Sequence, residues 1–138
     1  MLASTADVLD LPATAATPLA FMDQIEHGLP FAAVERMAQL LAPGDAQFKY
    51  RLIPKATYER RKRTNRLSPD EGTLLARLAR IWALALDIWE EEEATRAFLF
   101  RRHMMMEDRR PVDVVIQSEI GAEVVAHVLG RLKYGTAA

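Results

Sequence analysis

Three independent helix-start signals coincide at Ser68-Pro69-Asp70-Glu71. Serine is a strong N-cap, proline suits the first helical position because its missing N–H would go unpaired there anyway, and Glu71 can reach back to the Ser68 backbone N–H. Behind them Leu74, Leu75, Leu78, Ile81, Trp82, Ala85, Ile88 and Trp89 recur at helical spacing, so one face of a long helix is apolar for about four turns. This helix is expected to be the centre of the fold, with Leu78, Ile81, Trp82 and Ile88 largely buried.

The rest of the chain supplies helices to cover that stripe. Upstream, Pro30 opens a helix carrying Phe31, Val34, Met37, Leu40 and Leu41, which ends at Pro43-Gly44. Asp45 is a candidate N-cap for a short helix with Phe48 and Leu52, which must stop near Pro54 because proline disfavours helix in the residue before it. A third helix runs from about Lys55 through Arg63. Two short helices joined by a tight turn, the second densely basic, have the outline of a helix-turn-helix unit.

Downstream, Glu91 to Phe100 reads as a helix set off from the long one by a corner in the acidic run. Arg101 to Arg110 has no periodicity and reads as a loop. Val112, Val115 and Ile116 suit a short helix after Pro111, and Ser118 caps a last one bearing Ile120, Val124, Val125, Val128, Leu129 and Leu132. Gly135 is placed to end it in the left-handed conformation that other residues resist. No segment reads as a strand. The expectation is an all-α protein with a poorly ordered tail over 1–24, a helix-turn-helix module over 25–67, and a small C-terminal helical domain over 68–138.

With 138 residues, the chain has room for one compact domain or two very small ones. It contains no cysteine, which excludes disulfides, thiolate nucleophiles and cysteine-based metal sites. Met1 to Pro18 contains Asp7 and Asp10 but no Lys or Arg, unlike a secretory signal, and no stretch approaches the roughly 20 apolar residues of a membrane span. The reading is a cytoplasmic protein with no membrane contact.

The net charge of −1 conceals an asymmetry along the chain. From Lys49 to Arg66 eight basic residues face the single acid Glu59, whereas from Ser68 to Glu93 seven acids face only Arg77 and Arg80. A local block of one sign says more about partners than the global balance does.

Catalysis needs a nucleophile, an acid–base pair or a ligand set, and none is visible. His27, His103 and His127 are far apart and belong to no metal-ligand spacing, so a non-enzymatic protein without cofactor or metal is expected. Glu90 to Glu93 suits a solvated helix end better than a cation site. The basic helix is the chemical feature that remains. Lys55, Thr57, Tyr58, Arg60, Arg61 and Arg63 are the candidate DNA contacts, because such side chains hold phosphates and arginine also reads guanine edges in the major groove. Met104 to Met106, beside Arg101 and Arg102, fits two readings: an adaptable partner surface, or filler beneath a loop.

Several runs occur in an order and spacing that resemble one family. They are Arg66-Leu67-Ser68-Pro69-Asp70-Glu71 with Leu78-Ala79-Arg80, then Ala94 to Phe100, Arg110-Pro111, Ser118-Glu119-Ile120-Gly121-Ala122, and Leu129-Gly130-Arg131-Leu132-Lys133-Tyr134-Gly135. Upstream, Ile53 to Arg61 resembles the exit of the family's helix-turn-helix. From Gly28 to its end the chain thus resembles the Xre–MbcA–ParS antitoxins, whose members pair with RES-domain toxins. It departs from them in the loop Met104 to Arg110, where many members carry a glycine pair before the proline matched by Pro111.

The resemblance implies an antitoxin of a bacterial toxin–antitoxin pair. Its N-terminal module would bind operator DNA to regulate its own operon, and its C-terminal module would hold a cognate RES toxin and block its active site. Such toxins consume NAD, as glycohydrolases or ADP-ribosyltransferases, and that chemistry belongs to the toxin. On this reading Arg109, Arg110, Pro111, Gly121, His127, Gly130, Arg131, Lys133, Tyr134 and Gly135 are the candidate toxin contacts. Assembly as a homodimer or as a larger hetero-oligomer with the toxin is also implied. The alternative is a stand-alone helix-turn-helix regulator whose C-terminal module only dimerises.

Overall fold

The computed structural model describes residues 4–135, and among these the fold is all-α, with no strand beyond one isolated bridge between His103 and Arg109. Its helices are α1 (Thr5–Val8), α2 (Pro18–His27), α3 (Ala32–Leu41), α4 (Lys49–Leu52), α5 (Lys55–Thr64), α6 (Pro69–Trp89), α7 (Glu92–Phe100), α8 (Pro111–Gln117) and α9 (Glu119–Tyr134).

Helix α6 begins as its sequence dictates. The Ser68 hydroxyl accepts from the Glu71 N–H at 3.2 Å, and Glu71 Oε1 accepts from the Ser68 N–H at 2.8 Å, which closes a capping box. At about 1.5 Å per residue its 21 residues span about 30 Å. It packs against α1, α2, α3, α7, α8 and α9. Leu78, Ile81 and Trp82 are buried as expected, while Ile88 is half-buried near the end of the helix. The corner in the acidic run is Glu90, in the left-handed conformation at φ 64°. Trp89 then stacks on Phe98 of α7, ring centroids 4.6 Å apart.

The N-terminal segment corrects the expectation of a tail. Ser4 caps α1 through the Asp7 N–H, Thr17 caps α2 through the Ala20 N–H, and Pro18 occupies the first turn of α2. Leu9 and Ala15 are 2% and 1% exposed, α1 lies on α6, and Arg36 Nε donates to the Val8 carbonyl. The Ala- and Thr-rich composition suggested a loose chain, but small apolar residues are what fit closely against a long helix. Met1 to Ala3 lie outside the described residues.

The middle of the chain forms the expected pair of short helices. Asp45 caps the turn that leads into α4, its carboxylate accepting from the Gln47 N–H at 2.9 Å. Pro54 separates α4 from α5 and its carbonyl accepts the Tyr58 N–H. Asn65 ends α5 at φ 53°, and its side chain accepts the Phe31 N–H at 3.1 Å, which ties the exit of α5 to the start of α3. One continuous apolar core then runs from Val8 to Leu129.

Candidate DNA and partner surfaces

Helix α5 shows a cationic face to solvent. Lys55, Glu59, Arg60 and Arg63 share that face and are exposed, and Lys62 is exposed at its edge. Among the described residues, Lys55, Arg60, Lys62 and Arg63 have no carboxylate within 4 Å. Thr57 is half-buried.

Two of the sequence candidates do not belong to this surface. Tyr58 is 3% exposed, with its ring edge-on to Phe31 at 4.8 Å and to Tyr50 at 5.4 Å. Burial, helped by the nearby carboxylates of Glu35 and Glu59, pushes its phenol above the usual range. Arg61 turns inward, its Nε donating to Glu71 Oε1 at 2.8 Å. An amphipathic aromatic and an arginine on a basic helix both looked like contacts. Their partners lie at distant positions that no local pattern reveals.

The second surface is the outward side of α9. Val125, Val128 and Leu129 face the core. Ile120, Val124, His127, Arg131 and Tyr134 recur at three- and four-residue spacing on the opposite side and are exposed, Ile120 at 76% and Tyr134 at 73%. His127, Gly130, Arg131 and Tyr134 join Arg80 and Glu123 around a shallow groove of about 520 Å³. Of the apolar residues this helix bears, Ile120 and Val124 stand outside the core. The core side of α9 is instead carried by their neighbours.

The remaining candidates divide. Arg109 is exposed, with Glu107 the nearest carboxylate at 4.0 Å. Arg110 is engaged by Asp113, which accepts from its Nε at 2.8 Å and its Nη2 at 3.0 Å and also pairs with Arg51 at 2.8 Å. Burial would raise the Asp113 pKa, but hydrogen bonds from both guanidiniums overcome it and hold the carboxyl below its usual range. Pro111 is buried as the first residue of α8. Gly121 is a packing residue, because a Cβ there would sit 2.0 Å from the Val114 carbonyl oxygen. Lys133 turns back to α6 and binds Asp87 at 2.5 Å. Gly135 ends α9 at φ 62°, as expected. The expected loop before α8 contains one tight turn, in which Met106 is buried whereas Met104 and Met105 are 89% and 52% exposed.

Residues 20–80 match the family model described as the antitoxin Xre-like helix-turn-helix domain, and residues 84–135 match the antitoxin Xre/MbcA/ParS C-terminal toxin-binding domain. The chain belongs to the Xre/MbcA/ParS antitoxins. No curated protein sequence matches it. The first match covers α3, α4, α5 and most of α2, and the second covers α7, α8 and α9. The antitoxin's cationic face on α5 therefore lies in the helix-turn-helix region, and its apolar and cationic face on α9 lies in the toxin-binding region. No helix among the described residues is long and apolar enough to cross a membrane.

Proposed function

We propose that this antitoxin neutralises a RES-domain, NAD-consuming toxin by seating the outward face of α9 in the toxin's active site, and represses its own operon by laying α5 on operator DNA. The observation that carries the reading is the exposed face of α9. Within the stretch matched to toxin binding, Ile120, Val124, His127, Arg131 and Tyr134 line one side of a 16-residue helix and are exposed. An exposed apolar row beside a guanidinium and a phenol suits a pocket that is apolar in its walls and holds phosphates at its base. Arg109 extends the same cationic chemistry from the loop before α8.

On α5, Lys55, Arg60 and Arg63 supply the phosphate and base contacts, with Lys62 at the edge. The antitoxin itself performs no reaction and needs no cofactor. Its assembly with the toxin, as a dimer or larger hetero-oligomer, takes place in the bacterial cytoplasm.

Co-expression with the RES protein encoded beside it, followed by affinity capture and an NAD-consumption assay, tests the reading. The expected result is a stable complex in which NAD consumption stops at stoichiometric antitoxin. A chain that binds DNA but captures no RES protein, and leaves NAD consumption unchanged, would be a stand-alone regulator instead.

A further inference from the structure

The capping box of α6 has an extra member. Glu71 Oε1 accepts the Ser68 N–H that closes the box and, at the same 2.8 Å, the Nε–H of Arg61 from the last turns of α5. The two side chains are 25% and 15% exposed, so the pair is largely removed from water and the Arg61 charge is already committed. Around it, Asn65 accepts the Phe31 N–H, and Tyr58 is wedged edge-on between Phe31 and Tyr50. Asn65 and Tyr58 fix α5 against α3 and α4, and Arg61 alone among these ties it to the first turn of the long helix.

We infer that Arg61 is a positioning residue for the α5 surface, aimed by Glu71, and makes no DNA contact of its own. This rests on the reading of α5 as the DNA-binding helix. Successive residues of a helix point about 100° apart, so a small roll of α5 would carry Arg60 and Arg63 off the base edges they would meet while leaving their charges beside the phosphates. Hydrogen bonds to bases lose their strength over tens of degrees, and positioning therefore controls affinity without adding a charge to the interface.

The two roles make opposite predictions for Glu71→Gln. The glutamine keeps a carbonyl oxygen for the Ser68 N–H, so the cap persists, but it loses the charge that holds Arg61. If Arg61 contacted phosphate, removing a competing carboxylate beside a basic helix would tighten DNA binding. If Arg61 positions α5, binding weakens.

Affinity for the duplex upstream of the antitoxin's own gene would be measured across salt concentrations for the full chain, Glu71→Gln, Arg61→Gln, the double variant and Arg63→Gln. Thermal melting by circular dichroism would confirm that each is folded. The positioning role requires both single variants to bind about tenfold more weakly or worse, as loss of one charge-assisted hydrogen bond implies. Their log–log salt slopes should equal that of the unaltered chain, and the double variant should be no worse than the singles. Arg63→Gln should flatten the slope by about 0.9. Tighter binding by Glu71→Gln, or a slope flattened by about 0.9 in Arg61→Gln, overturns the inference. Absence of any salt-dependent binding by the unaltered chain refutes the DNA reading itself, and the positioning role with it.

Discussion

Two glycines on α9 should respond to alanine with opposite signs. At Gly121 a Cβ would lie 2.0 Å from the Val114 carbonyl oxygen, 2.8 Å from its carbonyl carbon and 3.0 Å from Cγ1. Ordinary contact needs about 3.5 Å, so the helices must separate by about 1.5 Å, and the nearest obstructing atoms are backbone of α8 that cannot rotate away. Overpacking of this kind costs about 1–3 kcal/mol, and helix propensity returns at most about 1 kcal/mol for Gly→Ala. Gly121→Ala should therefore destabilise by about 1–2 kcal/mol, lowering the melting temperature by several degrees for a chain of this size. At Gly130 no atom beyond the surrounding turns of α9 lies within 4 Å of the position a Cβ would take among the described residues, so only the propensity operates and Gly130→Ala should stabilise by up to about 1 kcal/mol. Urea denaturation followed by circular dichroism measures both, with unchanged m-values showing that the compared states are the same. A Gly121→Ala protein as stable as the original would refute the close approach of α8 to α9.

Trp82→Ala removes a side chain that is 2% exposed and covered by the Arg96 guanidinium 5.6 Å from its ring, and should cost about 3–5 kcal/mol in the same assay. Reversing charge at Arg60 and Arg63 should abolish operator binding and leave toxin neutralisation intact, which parallel gel-shift and NAD-consumption assays would check. Acid should weaken the fold in a defined direction. Asp113 and Glu71 have depressed pKa values, so the stability they contribute is complete above the ordinary carboxyl range near pH 4 and is lost as pH falls through their lowered values; Asp113→Asn should make the acid-side fall of the urea midpoint shallower. Arg131→Glu should leave melting unchanged but restore NAD consumption by the toxin, whereas Lys133→Glu should also lower the melting temperature, because it sets a second carboxylate against Asp87.

What could be read from the sequence was what neighbours in the chain decide. The cap at Ser68, the stops at Pro54 and Gly135 and the corner near Glu90 depend on residues within a turn of one another, and each is where the pattern put it. Thr17-Pro18 follows the same grammar as Ser68-Pro69. It lacks the glutamate three residues on and the long apolar run behind, so its start signal is weaker. Three site candidates are already engaged within the fold, for a different reason. Tyr58, Arg61 and Lys133 carry the right chemistry for a contact, but Phe31, Glu71 and Asp87 claim them from other elements. Residue type states what a side chain can bind, and only the fold states what it has already bound.

The two family matches end and begin at residues 80 and 84, inside α6, so the division between them falls in the middle of one unbroken helix. A hinge there would have to break consecutive main-chain hydrogen bonds in a buried element. Four side-chain ties cross the same division. Arg96 Nε donates to the Leu40 carbonyl at 2.8 Å, Arg77 donates to the carbonyls of Val115 and Ile116 at the end of α8, Arg51 pairs with Asp113, and Arg80 pairs with Glu123. Arg96 and Arg77 satisfy carbonyls that helix ends leave without partners, so moving them would orphan backbone groups as well as break side-chain contacts. The α5 and α9 faces are thus held at a fixed separation and orientation by one core. A toxin seated on α9 and DNA seated on α5 would meet a rigid body, and any influence of one on the other has to pass through the partners' own bulk and charge or through these few arginines.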